Sequence, residues 1–435
     1  MDRGNMKKII LFVLALTLIL SFSTVEASAE VTLPERVRVG IHFGTGALSE
    51  AVVSAPGGVM VVTDTQSVWV PSATATLSSG TFTVLGGEVP IYDASPKITI
   101  ISTGGFLEIG GKQFRGDIEL VQNGDKITVV NYLNIEEYLY GVVPLEMSTG
   151  WPIEALKAQA VCARTYVAKS IGKYMSQGFD VYNTTMSQVY GGVNVEKEDC
   201  TRAVDETKGI VLTFNGTLID AVYCSSMSFG HSFNVKDVWG SDVGYLSGVK
   251  DFGLFEVFPE GYTWEVSFSK EQIKDKLAAL SINIGDIFDL RIDETSPEGA
   301  VTKLTFVGTD GEHTVKNSST RNTLALKSQG FTVEKEGEKP KVTVLSASGK
   351  TEVSEASAIS SGGMLFSPTK ALNSEDVYDC FVMNNITGFR IKGSGYGHGL
   401  GMSQYGAKGM ALMGYTFDQI VTHYYTGAET VQITN

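Results

Sequence analysis

Three stretches of this chain combine residue types and spacings that could do chemistry. The first is Pro144-Leu145-Glu146-Met147, followed by Trp151-Pro152 and an apolar-periodic run. A carboxylate on a strand-to-helix connection can project into a cleft while the helix holds it rigidly. Val143, Leu145 and Met147 could desolvate Glu146 and raise its pKa, leaving a protonated acid near neutrality. The positive end of the following helix pulls the other way and favours the anion. The residues leave both outcomes open, and an ordinary surface-loop glutamate is the plain alternative.

The second stretch is Gly393-Ser394-Gly395-Tyr396-Gly397-His398-Gly399-Leu400-Gly401-Met402-Ser403-Gln404-Tyr405-Gly406-Ala407. It has neither the G-x-G-x-x-G of a dinucleotide fold nor the Gly-Lys-Ser/Thr of a phosphate loop. Alternate glycines around one His and one Gln suggest backbone pressed against a ligand or a strand. The third stretch runs from Asn183 through Gln188 and Tyr190 to Gly192, with Tyr223-Cys224-Ser225-Ser226 and His231 beyond. No Gly-x-Ser-x-Gly elbow surrounds Ser226. Cys200, Cys224 and His231 do not follow a zinc-finger spacing, and no metal is assigned.

These stretches need elements to hold them. A helix is expected over 152–174: Pro152 suits its first position and Glu154 its first turn. Ile153, Leu156, Ala160, Ala163, Val167 and Ile171 form one apolar stripe. A second helix is expected over 197–207. Hairpins are expected at Asn123-Gly124 and Asn215-Gly216, the latter joining Ile210–Phe214 to Thr217–Tyr223. Residues 262–335 read as a strand, a helix over 270–280 and a hairpin at Asp310-Gly311. Helices near 404–413 and 417–425 follow, the last opened by a Thr416/Gln419 capping box. The fold class is α+β: mixed antiparallel sheets with a central helix, and several β-rich lobes around a substrate cleft. The expected organisation is a signal peptide (1–29), an N-terminal β-rich region (30–113), a core (114–335, with an α+β lobe from about 250), an insertion (336–385) and the last part of the core (386–435).

At the N-terminus, Lys7 and Lys8 precede the apolar run Ile9–Leu20, and Ala27-Ser28-Ala29 is a small-residue cleavage site. This predicts export, with an uncleaved N-terminal anchor as the alternative. The 435 residues carry 34 Lys+Arg against 48 Asp+Glu, a net charge of −14. That balance argues against nucleic acid as the partner. Of the four cysteines, Cys162, Cys200, Cys224 and Cys380, the count permits two disulfides; buried thiols are the alternative. Of the 48 glycines, nine lie between Gly393 and Gly427.

Taken together, the stretches resemble the SpoIID/LytB family, the stage II sporulation protein D and amidase-enhancer proteins of bacterial cell walls. The resemblance is carried by Tyr138-Leu139-Tyr140-Gly141-Val142-Val143-Pro144-x-Glu146-Met147 and Trp151-Pro152-x-Glu154-Ala155-Leu156-Lys157-Ala158-Gln159-Ala160-x-x-Ala163-Arg164-Thr165-Tyr166. It continues in Gly397-His398-Gly399-x-Gly401-Met402-Ser403-Gln404-x-Gly406-Ala407 and His423-Tyr424-Tyr425-x-Gly427. It covers about 114–335 and 387–427.

The resemblance implies a peptidoglycan lytic transglycosylase. Such an enzyme cleaves between N-acetylmuramic acid and N-acetylglucosamine and leaves a 1,6-anhydromuramoyl end. Sporulation members act on glycan already stripped of stem peptides. Glu146 stands where the family's catalytic Glu stands. Gln188, Tyr190, Tyr396, Tyr405 and Arg164 are the expected sugar contacts, with an ordinary core place as the alternative for each aromatic, and His398 and Gln404 are sugar contacts or site-shaping residues. No cofactor is implied; the partners are glycan strands and, in the enhancer reading, a cell-wall amidase. Sporulation members can carry a zinc-binding His/Cys cluster. Here Met186 and Ser187 occupy two of its places, and Cys224 stands where many members have His, so that zinc is not expected.

Overall fold

The computed structural model describes residues 32–253, 262–337, 342–346, 349–353 and 386–433. The N-terminal signal and Cys380 lie outside the described residues. The fold is α+β, with mostly antiparallel sheets.

An 11-stranded sheet forms the N-terminal part. Its strands alternate as expected; in Ser67–Ser78, Ala73, Ala75 and Leu77 point into the core. The hairpin of Asp117–Asn123 and Lys126–Asn134 belongs to the same sheet, pairing with Lys97–Ser102 on one side and Arg36–His42 on the other. One hydrophobic core runs from Leu33 to Ala428. The division expected at residue 113 is therefore no structural break: the sheet crosses it.

The central helix, Ile153–Ser170, packs against helices Glu198–Glu206, Gln404–Leu412 and Phe417–Tyr424 and strand Ile210–Phe214. A single stripe was the expectation. Instead, Ala155, Leu156, Ala158, Ala160, Val161 and Cys162 are all buried, so the helix is enclosed on every side. It ends at Ser170, four residues early, before the exposed Ile171.

Residues 263–337 form a lobe with its own core, built on Trp264, Phe268, Ile273, Leu277, Phe306 and Phe331. Strand Ile386–Ser394 completes it, lying between Thr263–Ser269 and Phe331–Gly337. The segment expected to close the first core thus begins inside the lobe and leaves it at Gly395. Within 336–385, a hairpin of Val342–Ser346 and Gly349–Val353 is described. Among the described residues, no helix is long and apolar enough to cross a membrane.

Two local departures build the site. The apolar run at Tyr138–Val143 is helical: Ile135–Tyr140 is capped by Asn134, whose Oδ1 accepts from Glu136 N at 2.9 Å. The second strand of the Asn215-Gly216 hairpin ends at Leu218. Tyr223–Cys224 instead pairs in parallel with Met402–Ser403, joining the second and third stretches.

Candidate active site

Glu146 closes a short helix, Val143–Glu146, and is half-buried. Its Oε1 accepts from Val189 N and its Oε2 from Gln404 Nε2, each at 3.3 Å. The Tyr223 hydroxyl is a third partner. Burial raises the carboxyl's pKa above 4.5, and the three hydrogen bonds lower it without cancelling the rise. The competition left open by sequence is therefore won by desolvation. The long helix's positive end is met by another group: Glu154 sits in its first turn, bonded to Lys157 at 2.9 Å and Phe417 N at 2.8 Å.

Behind Glu146 stands a directed network. Tyr138 Oη donates to Gln188 Oε1 at 3.2 Å, which orients the amide. Gln188 Nε2 then donates to Tyr223 Oη at 2.9 Å. With its oxygen accepting, the Tyr223 hydroxyl proton is free to point at Glu146. Burial and the nearby Glu146 hold the Tyr223 pKa well above 10, so it remains a donor.

Gln404 opens its own helix. Ser403 is the N-cap, accepting from Gly406 N at 2.9 Å and donating to Asp251 at 3.2 Å. Asp251 is buried and also accepts from Tyr424 Oη at 2.6 Å. The preceding run explains its glycines: Gly395, Gly397, Gly399 and Gly401 have φ of +79°, +119°, +76° and +65°. A Cβ there would strike Met227, Cys224, Phe233 or the Val222 carbonyl. The backbone is pressed against protein, the strand alternative.

The expected contacts divide. Glu146, Gln404 and, through Tyr223, Gln188 and His398 converge. His398 Nδ1 accepts from Leu400 N at 3.0 Å, and its ring also bonds the Tyr223 backbone. Burial and the Arg321 charge push it down to about 4, so it is neutral. Tyr396 is exposed beside Ser226, and Tyr405 packs edge-on to Trp151 at 4.9 Å. Arg164, Tyr190 and Gln188 itself are core residues and not exposed sugar contacts. Arg164 is wholly buried, pairs with Glu136 at 2.7 Å and donates to the Ile210 and Val204 carbonyls. Tyr190 is buried, with its hydroxyl on Asn131 at 2.8 Å. Gln188 is buried and spends its amide inside the network. Tyr223 was not anticipated. Only its place in a Tyr-Cys-Ser-Ser segment marked it.

The zinc cluster does not fit these residues. Met186 is exposed, the Ser187 hydroxyl accepts from Tyr182 N at 3.2 Å, and the buried Cys224 thiol is pushed up to about 12. Among the described residues, no group of three or more His, Cys, Asp or Glu could hold a metal. Cys162, Cys200 and Cys224 are buried free thiols. A cavity of about 740 Å³ opens on the lobe, between Trp264, Glu265, Thr332 and Lys392. Glu146 does not line it, and its walls lack a comparably desolvated acid.

A family model described as stage II sporulation protein, SpoIID, matches residues 123–214. The chain is 30% identical over 349 residues to an uncharacterised protein of Brachyspira hyodysenteriae, covering 79% of this chain and 78% of that one. It is 33% identical over 350 residues to the amidase enhancer of Bacillus subtilis, covering 75% of this chain but only 45% of the enhancer. It is 28% identical over 320 residues to stage II sporulation protein D of Bacillus subtilis, covering 69% of this chain and 75% of that protein. The motifs around Glu146 and Gln404, the model match and these relatives agree: the chain belongs to the SpoIID family.

Proposed function

We propose that this protein is an exported peptidoglycan lytic transglycosylase with Glu146 as its acid and then its base. The observation that carries the reading is the state of Glu146. Burial raises its pKa above the ordinary carboxylate value, Val189, Gln404 and Tyr223 orient it, and no second carboxylate among the described residues contributes to its shift. Hydrolysis by a carboxylate pair needs two such groups. Transglycosylation needs one, because the sugar supplies the nucleophile.

The proton of Glu146 passes to the glycosidic oxygen as the C1–O4 bond breaks and an oxocarbenium-like centre forms. The muramoyl O6 then bonds to C1, and its proton passes to the Glu146 carboxylate. The products are a free GlcNAc 4-hydroxyl and a 1,6-anhydromuramoyl end, with Glu146 restored. Gln404 and Tyr223 hold the carboxylate between the two transfers. The exposed Tyr396 ring and the partly exposed Tyr405 are the sugar contacts. The sequence signal and the cell-wall relatives support action outside the cytoplasm.

A second reading is favoured by the amidase-enhancer relative. In it, the same surface binds wall glycan and stimulates an N-acetylmuramoyl-L-alanine amidase without turnover. Digestion of peptide-stripped glycan followed by mass spectrometry separates the two. Anhydromuramoyl ends that vanish with Glu146→Gln support the enzyme. Ordinary reducing ends mean hydrolysis, and release only when an amidase is added favours the enhancer.

A further inference from the structure

Arg321 stands apart from the other described arginines. Every other described arginine reaches a carboxylate within 3.1 Å. Arg321, in the short helix Ser319–Asn322, reaches none among the described residues, although it is half-buried and the chain carries 14 net negative charges. A guanidinium withdrawn from water without a partner is costly, and it persists where a ligand supplies the anion.

Its position ties it to the Glu146 site. Gly397 N donates to Lys327 O at 2.9 Å, which fixes the Arg321–Lys327 segment against the glycine run. Tyr396 and Ser226 exchange backbone hydrogen bonds at 3.0 and 3.2 Å, three residues beyond Tyr223. The Arg321 charge acts on Cys224, Tyr396 and His398. His398 in turn bonds the Tyr223 backbone, and the Tyr223 hydroxyl meets Glu146.

GlcNAc is uncharged. Muramic acid bears a lactyl carboxyl on C3, two ring carbons from the anomeric C1 whose bond breaks in the proposed reaction. While the stem peptide is attached, that carboxyl is a neutral amide. Once the peptide is removed, it is a carboxylate, matched to the planar fork of an arginine. We infer that Arg321 is the residue that takes the free lactyl carboxylate of a peptide-stripped muramoyl residue. This rests on the glycan-binding part of the reading above and not on turnover.

The test is binding, measured by calorimetry on the full chain carrying Glu146→Gln so that no substrate is consumed. The probes are a GlcNAc–MurNAc tetrasaccharide with free lactyl carboxylates, its lactyl methylamide, and the peptide-bearing tetrasaccharide. The free acid is expected to bind about tenfold tighter or more than the methylamide, as a charge-assisted pair implies. Adding Arg321→Gln should abolish that preference while leaving methylamide binding unchanged, which also reports an intact fold. Arg321→Lys should restore part of it. Equal binding of acid and methylamide with Arg321 present overturns the inference. So does a preference that survives Arg321→Gln, an equal loss of both ligands, or tightest binding of the peptide-bearing sugar, whose carboxylates lie in the peptide. Absence of anhydromuramoyl product from the unmutated protein would refute the enzyme reading and leave this preference standing.

Discussion

Gln404 donates its side-chain amide to Glu146 at 3.3 Å across 258 positions of sequence. The two residues come from different elements beside the enclosed helix Ile153–Ser170: one from the short helix leading into it, the other from the first turn of a helix packed against it. Each is fixed by its own support, Gln404 by the Ser403 cap and buried Asp251, Glu146 by Val189 and Tyr223. In the proposed reaction an acid held this way would keep its direction through both proton transfers.

Glu146→Gln removes that proton. Positioned general acids contribute about 10²–10⁴-fold, so release of anhydromuramoyl ends should fall by at least that much. The pH profile gives a second check. The proposed reaction needs the protonated form, so the unmutated protein's rate should fall as pH rises through a Glu146 pKa lying above 4.5. Stability moves in the same direction. A carboxyl raised in the folded state stabilises fully below its unfolded pKa, and that contribution is lost as pH rises through the folded value. Thermal melts should show the unmutated protein losing stability from acid to neutral pH relative to Glu146→Gln. Parallel curves would mean that Glu146 is not desolvated.

Tyr223→Phe deletes one donor to Glu146 and the nearer of the two acceptors of Gln188 Nε2, which keeps the Ala163 carbonyl at 3.4 Å. Since that donor lowers the Glu146 pKa, its loss should move the basic limb of the rate profile to higher pH. The turnover number should fall as the carboxyl loses its orientation. Leaving a buried amide short of a partner costs about 1–3 kcal/mol, readable by denaturant unfolding. A Tyr223→Phe protein with an unmoved pH profile would place the hydroxyl outside the acid's network.

The elements around this site were more legible than its membership. The Thr416 capping box is present, with Thr416 N donating to Gln419 Oε1 at 3.1 Å. The expected hairpins at Gly124 and Gly216 turn where positive φ allows. These are local signals. Glu146 and Gln404 stood out because their neighbours are unusual. Tyr223 reaches Glu146 only through a parallel pairing with Met402–Ser403, which no local pattern announces. Arg164, Tyr190 and Gln188 misled for the opposite reason. Polar side chains inside the singled-out segments suggest ligands, but each is satisfied by a distant core partner: Glu136, Asn131 and Tyr138.

Arg164 gives that difference an experimental form. Removing one member of a buried pair leaves the other charge uncompensated, at about 3–5 kcal/mol. Arg164→Ala should therefore destabilise strongly, since Glu136 then keeps only Gly209 N, at 3.1 Å, among its present partners. The folded fraction should still bind stripped glycan with unaltered affinity. A combined Arg164→Met and Glu136→Leu change should recover much of the stability. Weakened binding without loss of stability would make Arg164 a sugar contact after all.

Gly399 and Gly414 separate backbone strain from close packing. Both have positive φ, +76° and +90°. A Cβ at Gly414 meets nothing, whereas at Gly399 it lands on the Phe233 ring, nearer than side chains approach. Gly414→Ala should thus cost only the backbone penalty, about 1 kcal/mol. Gly399→Ala should add an overpacking term of about 1–3 kcal/mol. It should also lower activity, because the run it displaces carries His398 against the Tyr223 backbone and leads directly to Gln404. Gly414→Ala should leave activity alone. Paired unfolding curves and product assays on the two variants decide it. Equal effects would mean that the run's glycines serve its turns alone, and that its contact with the 222–233 segment is not what holds Gln404 on Glu146.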